Sequence, residues 1–332
     1  MEIEFLGSLK NKPTIFHHSG MVASSPVTLS TMNSITAMKP SWIRVKAPGS
    51  PGYRYLKDQV ENLGLHTVCQ EARCPNIGEC WEQKTLTIMI LGDTCTRFCK
   101  FCNVKTGKGT GFVDEQEPRR TAQLLKPLNL NYVVITSVDR DDLEDGGAMH
   151  FANTIREVKK ECPKTTLEVL TGDFSGSLDS LSMVVESGPD VISHNLETVE
   201  RLTPSIRDRR ASYKTSLLQL QRVKELSPSI YTKSSLMLGL GENMDEVIQS
   251  MQDLREIEVD FLTLGQYLRP SKIHNPVERF VTPEEFEELK KIGYNIGFKM
   301  VASGPLVRSS YKAGEYFIKE YIEKTRSAAG DL

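Results

Sequence analysis

From residue 85 onward, apolar β-branched runs alternate with stretches of helical periodicity, and nothing else in the chain limits its possible folds as much. The runs are "TLTIMIL" (85–91), "YVVITSV" (132–138), "TTLEVLT" (165–171), "DVISHNL" (190–196), "YTKSSLML" (231–238), "DFLTLGQY" (260–267) and "FKMVAS" (298–303). Helical stretches lie between them near 119–128, 147–161, 177–187, 213–226, 244–257 and 283–295. Alternation on this scale implies right-handed crossovers and a parallel sheet. Six or seven such units predict an α/β barrel, complete or partial. Polar segments follow the strands: "GDTC", "DRDDLEDGG", "GDFSG", "ETVERL", "GLGEN" and "LRPSKIHNP". In parallel barrels the active site sits at these carboxyl ends.

Outside the barrel (85–304), residues 1–38 read as a flexible arm. Residues 39–84 read as an N-terminal extension with one cysteine group and little periodicity, and 305–332 as a C-terminal segment. In that segment "KAGEYFIKEYIEK" (312–324) reads as an amphipathic helix with Tyr316, Phe317 and Ile318 near its core side. It is expected to clamp the C-terminus over the barrel mouth. The net charge of -2 argues against a broad nucleic-acid-binding face. No stretch approaches the ~18 consecutive apolar residues of a membrane span. The start, "MEIEFLGSLKNKP", is polar and carries Glu2 and Glu4, which weighs against a targeting peptide. The expected compartment is the cytoplasm, with the mitochondrion second.

Seven cysteines are present, and six fall between 69 and 102. Clustered thiols with no spread disulfide framework read as metal ligands. "CTRFCKFC" gives Cys95, Cys99 and Cys102 at C-x3-C-x2-C, and "CQEARCPNIGEC" gives Cys69, Cys74 and Cys80 at C-x4-C-x5-C. Structural zinc sites are closed with four ligands, so two separate triads suit zinc poorly. A four-iron cube bound by three thiolates keeps one iron open for a substrate. Arg97 and Lys100 are expected to offset the cluster's charge, and Phe98 and Phe101 to shield it.

The spacing C-x3-C-x2-C, with Phe101 before the last cysteine and a preceding strand, resembles the radical S-adenosylmethionine (radical SAM) superfamily. Within it, "HTVCQEARCPNIGECW", "TLTIMILGDTCTRFCKFCNV", "SVDRDDLEDGGA", "HNLETVERL", "GQYLRPS" and "VASGPLVRSSYKAGE" are similar to the lipoyl synthase family over about residues 40–320. The resemblance implies a partial (β/α)6-type TIM barrel with N- and C-terminal extensions covering the mouth. It implies two [4Fe-4S] clusters. The one on Cys95, Cys99 and Cys102 binds S-adenosyl-L-methionine and splits it to a 5′-deoxyadenosyl radical. The auxiliary one, on Cys69, Cys74 and Cys80, donates sulfur. Its fourth ligand is a serine of "RSSY", assigned to Ser310 with Ser309 as the alternative.

The implied reaction inserts two sulfur atoms at carbons 6 and 8 of an octanoyl group on a lysine of a lipoyl carrier domain. Implied partners are the 2-oxoacid dehydrogenase acyltransferase subunit, the glycine cleavage H protein, and an electron donor such as ferredoxin or flavodoxin; no nucleic acid or membrane is expected. For SAM, the expected contacts are Gly146 and Gly147, Asn195 and Glu197, Arg207 or Arg210, and Gly239 in "LGLGE". Gln266, Tyr267 and Arg269 are expected along the substrate channel. Structural roles are expected for His66, His194 and Trp81, and Cys162 reads as a bystander. Two alternatives stand beside this reading: a tRNA methylthiotransferase and a zinc-stabilised binding module.

Overall fold

The computed structural model describes residues 39–310 and 318–325, so the expected arm at 1–38 lies outside the described residues. In chain order the strands are β1 (His66–Thr67), β2 (Thr87–Ile90), β3 (Thr94–Cys95), β4 (Lys105–Thr106), β5 (Tyr132–Ser137), β6 (Thr166–Leu170), β7 (Val191–Ser193), β8 (Tyr231–Leu238), β9 (Phe261–Gln266) and β10 (Met300–Gly304). The α-helices are α1 (Pro51–Asn62), α2 (Val68–Glu71), α3 (Ile77–Glu82), α4 (Glu117–Leu125), α5 (Ala148–Glu161), α6 (Leu178–Glu186), α7 (Thr203–Ile206), α8 (Tyr213–Leu226), α9 (Met244–Glu256) and α10 (Pro283–Ile296). Residues 318–325 form a further helical stretch.

All seven apolar runs are strands of one sheet, parallel in the order β2-β5-β6-β7-β8-β9-β10, with β1 added antiparallel to β2. Among the described residues the sheet ends at β1 and β10 without closing, which makes a partial barrel. β2 and β9 are buried at every position because helices cover the outside while side chains fill the inside. The outer helices begin at side-chain caps. Ser177 caps α6 and Ser212 caps α8, while Asn243 with Glu246 and Thr282 with Glu285 form capping boxes at α9 and α10. Helix α1 is an addition to the expected extension. Ser50 caps it and Pro51 starts it, but its buried residues are just Leu56 and Val60, too sparse a stripe to stand out as periodic.

The two-residue period of the strands builds the barrel interior in layers. At the amino-terminal ends, Tyr132, Val191, Phe261 and Met300 pack with Ile318 and Ile322. Tyr321 meets Tyr231 and Phe261 edge-on at 6.0 Å. Burying each isoleucine contributes about 1.5–3 kcal/mol. The C-terminal helix therefore fills the bottom of the barrel, not the mouth where it was expected, because its apolar face meets the apolar first residues of the strands. The expected helical residues 312–317, with Tyr316 and Phe317, lie outside the described residues. One layer up, Glu168 accepts from Lys233 at 2.7 Å, Ser193 at 2.7 Å and Tyr132 at 2.6 Å. The last inward residues, Thr136, Leu170, Ser235 and Gly265, face a cavity at the carboxyl ends.

Candidate active site

That cavity, of about 520 Å³, is lined by all six clustered cysteines together with Ser309 and Ser310. Cys95, Cys99 and Cys102 lie on the loop leaving β2. β3 and β4 pair to close this loop, and Gly107 N–H donates to the Cys95 carbonyl at 3.0 Å. Lys100 N–H donates to Ile206 O at 2.8 Å, and His274 bonds the Cys102 carbonyl through Nε2 at 3.0 Å. The Cys99 sulfur accepts from Asp208 N–H at 3.3 Å. Burial raises all three thiols, Cys99 to about 11 and Cys102 to about 12, and Asp139 adds to the rise at Cys95. Such thiols stay protonated near neutral pH unless a metal cation stabilises the thiolate.

Beneath the loop lies a charge network that the sequence reading did not contain. Arg97, 5% exposed, donates to Asp173 at 2.6 and 2.8 Å and to Asp141 at 2.8 Å, with Asp139 at 3.7 Å. Burial works against these charges. The Arg97 hydrogen bonds prevail and hold Asp141 and Asp173 below the usual carboxylate range. Burial pushes Asp139 up to about 6, with Arg97 opposing. The Arg97 charge is thus engaged by aspartates, while its backbone N–H donates to Cys95 Sγ at 3.4 Å and its charge opposes the rise of that thiol. Lys100 and Phe98 are exposed, Phe98 by 58%, so neither screens the site; Phe101 alone of the expected pair lines the cavity.

The second triad is carried by two short helices. Thr67 caps α2, which holds Cys69; Cys74 N–H donates to Cys69 O at 3.0 Å; and Cys80 sits in α3. Gly78 brings α3 against the preceding backbone, for a Cβ there would lie 2.7 Å from Lys46 O. Burial raises the Cys74 thiol, while Asn76 and the Arg308 charge oppose the rise. The chain's C-terminal turn closes over this triad. Asn76 Nδ2 donates to Leu306 O at 2.7 Å, Thr87 Oγ1 donates to Ser310 Oγ at 2.7 Å, and Ser309 donates to Asn195 Oδ1 at 3.1 Å. Asn103 donates to Glu71 O at 2.9 Å and ties the two cysteine segments together. Among the described residues, no three His, Cys, Asp or Glu side chains converge on one point as a single bare ion needs. A cube with irons at four corners takes its thiolates at separate corners.

The residues expected around SAM divide into two groups. Asn195, Glu197 and Arg207 line the cavity. Asn195 donates to Glu197 at 3.0 Å, and burial raises the Glu197 carboxyl. Arg207 donates to Ser216 at 2.8 Å and keeps a buried Nε with no partner among the described residues; the same is true of the Thr171 hydroxyl beside the cavity. Gly146, Gly147 and Gly239 are not among the lining residues. All three have positive φ, and a Cβ would strike Leu91 at 2.3 Å from Gly147 and Gln266 at 2.3 Å from Gly239. Their smallness serves tight turns and close packing.

Arg210 turns to Asp208, Asp141 and the Thr96 carbonyl. Gln266, Tyr267 and Arg269 line the cavity, but their polar ends bond backbone carbonyls at Leu238, Asn275 and His274. His194 is buried between Thr171 O and Ser216. Trp81 is fully buried against Tyr53, and the half-buried Cys162 ends α5.

Residues 89–254 match the family model described as the radical SAM superfamily, and residues 27–74 match the N-terminal domain of lipoyl synthase. Lipoyl synthase of Thermus thermophilus is 55% identical, over 85% of this chain and 87% of its own. A mitochondrial lipoyl synthase of Scheffersomyces stipitis is 53% identical, over 88% and 74%. The apicoplast lipoyl synthase of Plasmodium yoelii is 52% identical over 89% of this chain, which spans 59% of that relative's length. Among solved structures, methylornithine synthase matches with a TM-score of 0.50 at 15% identity, covering 71% of this chain and 80% of that one, a likeness of fold. No helix among the described residues is long and apolar enough to cross a membrane.

Proposed function

Because the chain belongs to the lipoyl synthase family of radical SAM enzymes, we propose that it inserts two sulfur atoms at carbons 6 and 8 of an octanoyl group borne on a lysine of a lipoyl carrier domain. The supporting observation is the single cavity lined by both cysteine triads and by the serine pair. Cys95, Cys99 and Cys102 would hold one [4Fe-4S] cluster; Cys69, Cys74 and Cys80 with Ser310 would hold the other. When bound, the first supplies the electron that splits SAM into methionine and a hydrogen-abstracting radical, and the second supplies the sulfide.

The chain's own residues do the positioning. Asn195, Glu197 and Arg207 present polar groups to SAM at the ends of β7 and the following loop. Arg207, with its unpartnered Nε, suits a carboxylate. Leu236, Met237 and Val307 give the cavity apolar walls for an alkyl chain. Reaction across two centres needs reacting atoms held at about 3–3.5 Å; the Asn103 bond to Glu71 ties one cysteine segment to the other, and the Asn76 bond ties the second to the turn that carries Ser309 and Ser310. Ser310, already accepting a bond from Thr87, is a harder and weaker iron ligand than a fourth thiolate, so that corner can open. The thiols require a reducing compartment, a bacterial-type cytoplasm or an organelle matrix. The test is anaerobic reconstitution, iron and sulfide analysis, then mass spectrometry of an octanoylated carrier domain with SAM and reductant. About eight irons with matching sulfide and a dithiolated product are expected; zinc in place of iron and sulfide would refute the proposal.

A further inference from the structure

The loop that carries Cys95, Cys99 and Cys102 leaves β2 at Leu91 and returns to α4 at Glu117. Its two limbs are clasped where they meet. Leu91 N–H donates to Glu117 Oε2 at 2.7 Å, and the same oxygen lies 2.6 Å from His150 Nε2 on α5. Arg140, just beyond β5, donates to Leu91 O at 3.2 Å and to Phe112 O at 3.0 Å, and Asp142 holds its guanidinium through two bonds of 2.8 Å. Leu91, Glu117, Arg140 and His150 are all buried, and none of them lines the cavity. Leu91 has a φ of 68°, a left-handed conformation that an L side chain holds only where its surroundings impose it. Here both of its backbone polar groups have a partner, and its side chain fills the space that Gly147 leaves free.

A buried carboxylate costs free energy unless it is bonded. No step of the proposed reaction uses Glu117, yet its oxygen holds the left-handed residue at the root of the cysteine loop. We infer that Glu117 is a positioning residue for SAM cleavage, acting through the Leu91 backbone to set the direction in which the chain runs to Cys95. The inference rests on the proposed function, which puts a cluster on that loop. Three residues separate Leu91 from Cys95, and the last of them, Thr94, is already paired in β3. Little chain is left to absorb a change of direction at Leu91. Cys99 and Cys102 are held from the far side, by Asp208 N–H and His274. Asn195, Glu197 and Arg207 belong to other elements. A shift at the root therefore moves the Cys95 corner against SAM and leaves in place the polar groups proposed to bind it.

The test uses the reconstituted holoenzyme and two variants. Glu117→Gln keeps an oxygen at the same reach and loses the charge. Glu117→Asp keeps the charge and draws the oxygen back by one methylene. With dithionite as reductant, Glu117→Asp should lower kcat for SAM cleavage about tenfold per bound cluster and change KM for SAM less than about twofold, since a small misplacement of reacting groups costs rate. The change that SAM produces in the electron paramagnetic resonance spectrum of the reduced protein should be altered in the same variant. Glu117→Gln should stay within about twofold of the unmodified protein in kcat and keep its spectrum. Equal kcat in all three proteins would overturn the inference, as would a loss in Glu117→Gln as large as that in Glu117→Asp, which would assign the effect to charge. A fall in Glu117→Asp that tracks lost iron, with the rate per cluster unchanged, would overturn it in favour of a stabilising clamp. Absence of SAM cleavage in the unmodified protein would instead strike at the proposed function and remove the inference with it.

Discussion

The two cysteine triads share one cavity but are built in opposite ways. Cys95, Cys99 and Cys102 sit on one short loop, closed by its own β3–β4 pair and seated on the buried Arg97 network. Cys69 and Cys80 sit on two short helices with Cys74 in the turn between them, and this segment and the neighbouring β2 bond residues more than two hundred positions away, through Asn76 to Leu306 and Thr87 to Ser310. The first loop is held on several sides, by Ile206, Asp208 and His274 as well as by the Arg97 network. A site closed by a distant turn can open, as the proposed role of sulfur donor requires.

The largest effects should separate the triads by chemistry. Cys95→Ala should lower SAM cleavage by at least about a hundredfold, since loss even of groups that only orient ligands costs 10–100-fold. Cys69→Ala and Ser310→Ala should leave SAM cleavage in place while stopping sulfur insertion. Chromatography of 5′-deoxyadenosine and mass spectrometry of the carrier read the two steps apart, and lipoyl product from Cys69→Ala would break the division of labour.

Stability should separate them next. Arg97→Ala strips the cation from buried Asp141 and Asp173 and should cost about 3–5 kcal/mol in urea unfolding. A loss under about 1 kcal/mol would mean the charge network is not what holds the first loop. His194 gives a pH signature beside the same site. Burial, with Arg207 adding, lowers its pKa to about 4. Between the unfolded value near 6.5 and about 4, the unfolded chain binds the extra proton, so stability is full above that window and falls as pH drops through it, by up to about 3 kcal/mol. Urea midpoints of the native protein and of His194→Gln at pH 7 and pH 5 should diverge accordingly; parallel curves would exclude this titration. Smallest is Asn76→Ala, which leaves the Leu306 carbonyl without its donor and should cost about 1–3 kcal/mol. It should slow sulfur insertion more than SAM cleavage.

The same contrast explains what could be read in the chain. Seven apolar, β-branched runs and two cysteine spacings were legible because each is a local property of the chain. Arg97 was legible as a cation near the loop but not as the partner of Asp141 and Asp173, since those lie forty-four and seventy-six positions on. The glycines were ambiguous for a related reason: a positive φ and a crowded Cβ look alike in sequence whether the neighbour is a ligand or, as at Gly147, the Leu91 side chain. The C-terminal helix showed its apolar face, but an apolar face does not say which end of a barrel will bury it.

The proposed function turns on the triad closed by the distant turn, whose cluster would give up its own sulfide. A single turnover with enzyme reconstituted from heavy-isotope sulfide tests it most directly. The account predicts a carrier domain bearing two heavy sulfur atoms, no more than one product per chain without cluster rebuilding, and none from Cys69→Ala. Product carrying only ordinary sulfur, or heavy product from Cys69→Ala, would contradict it.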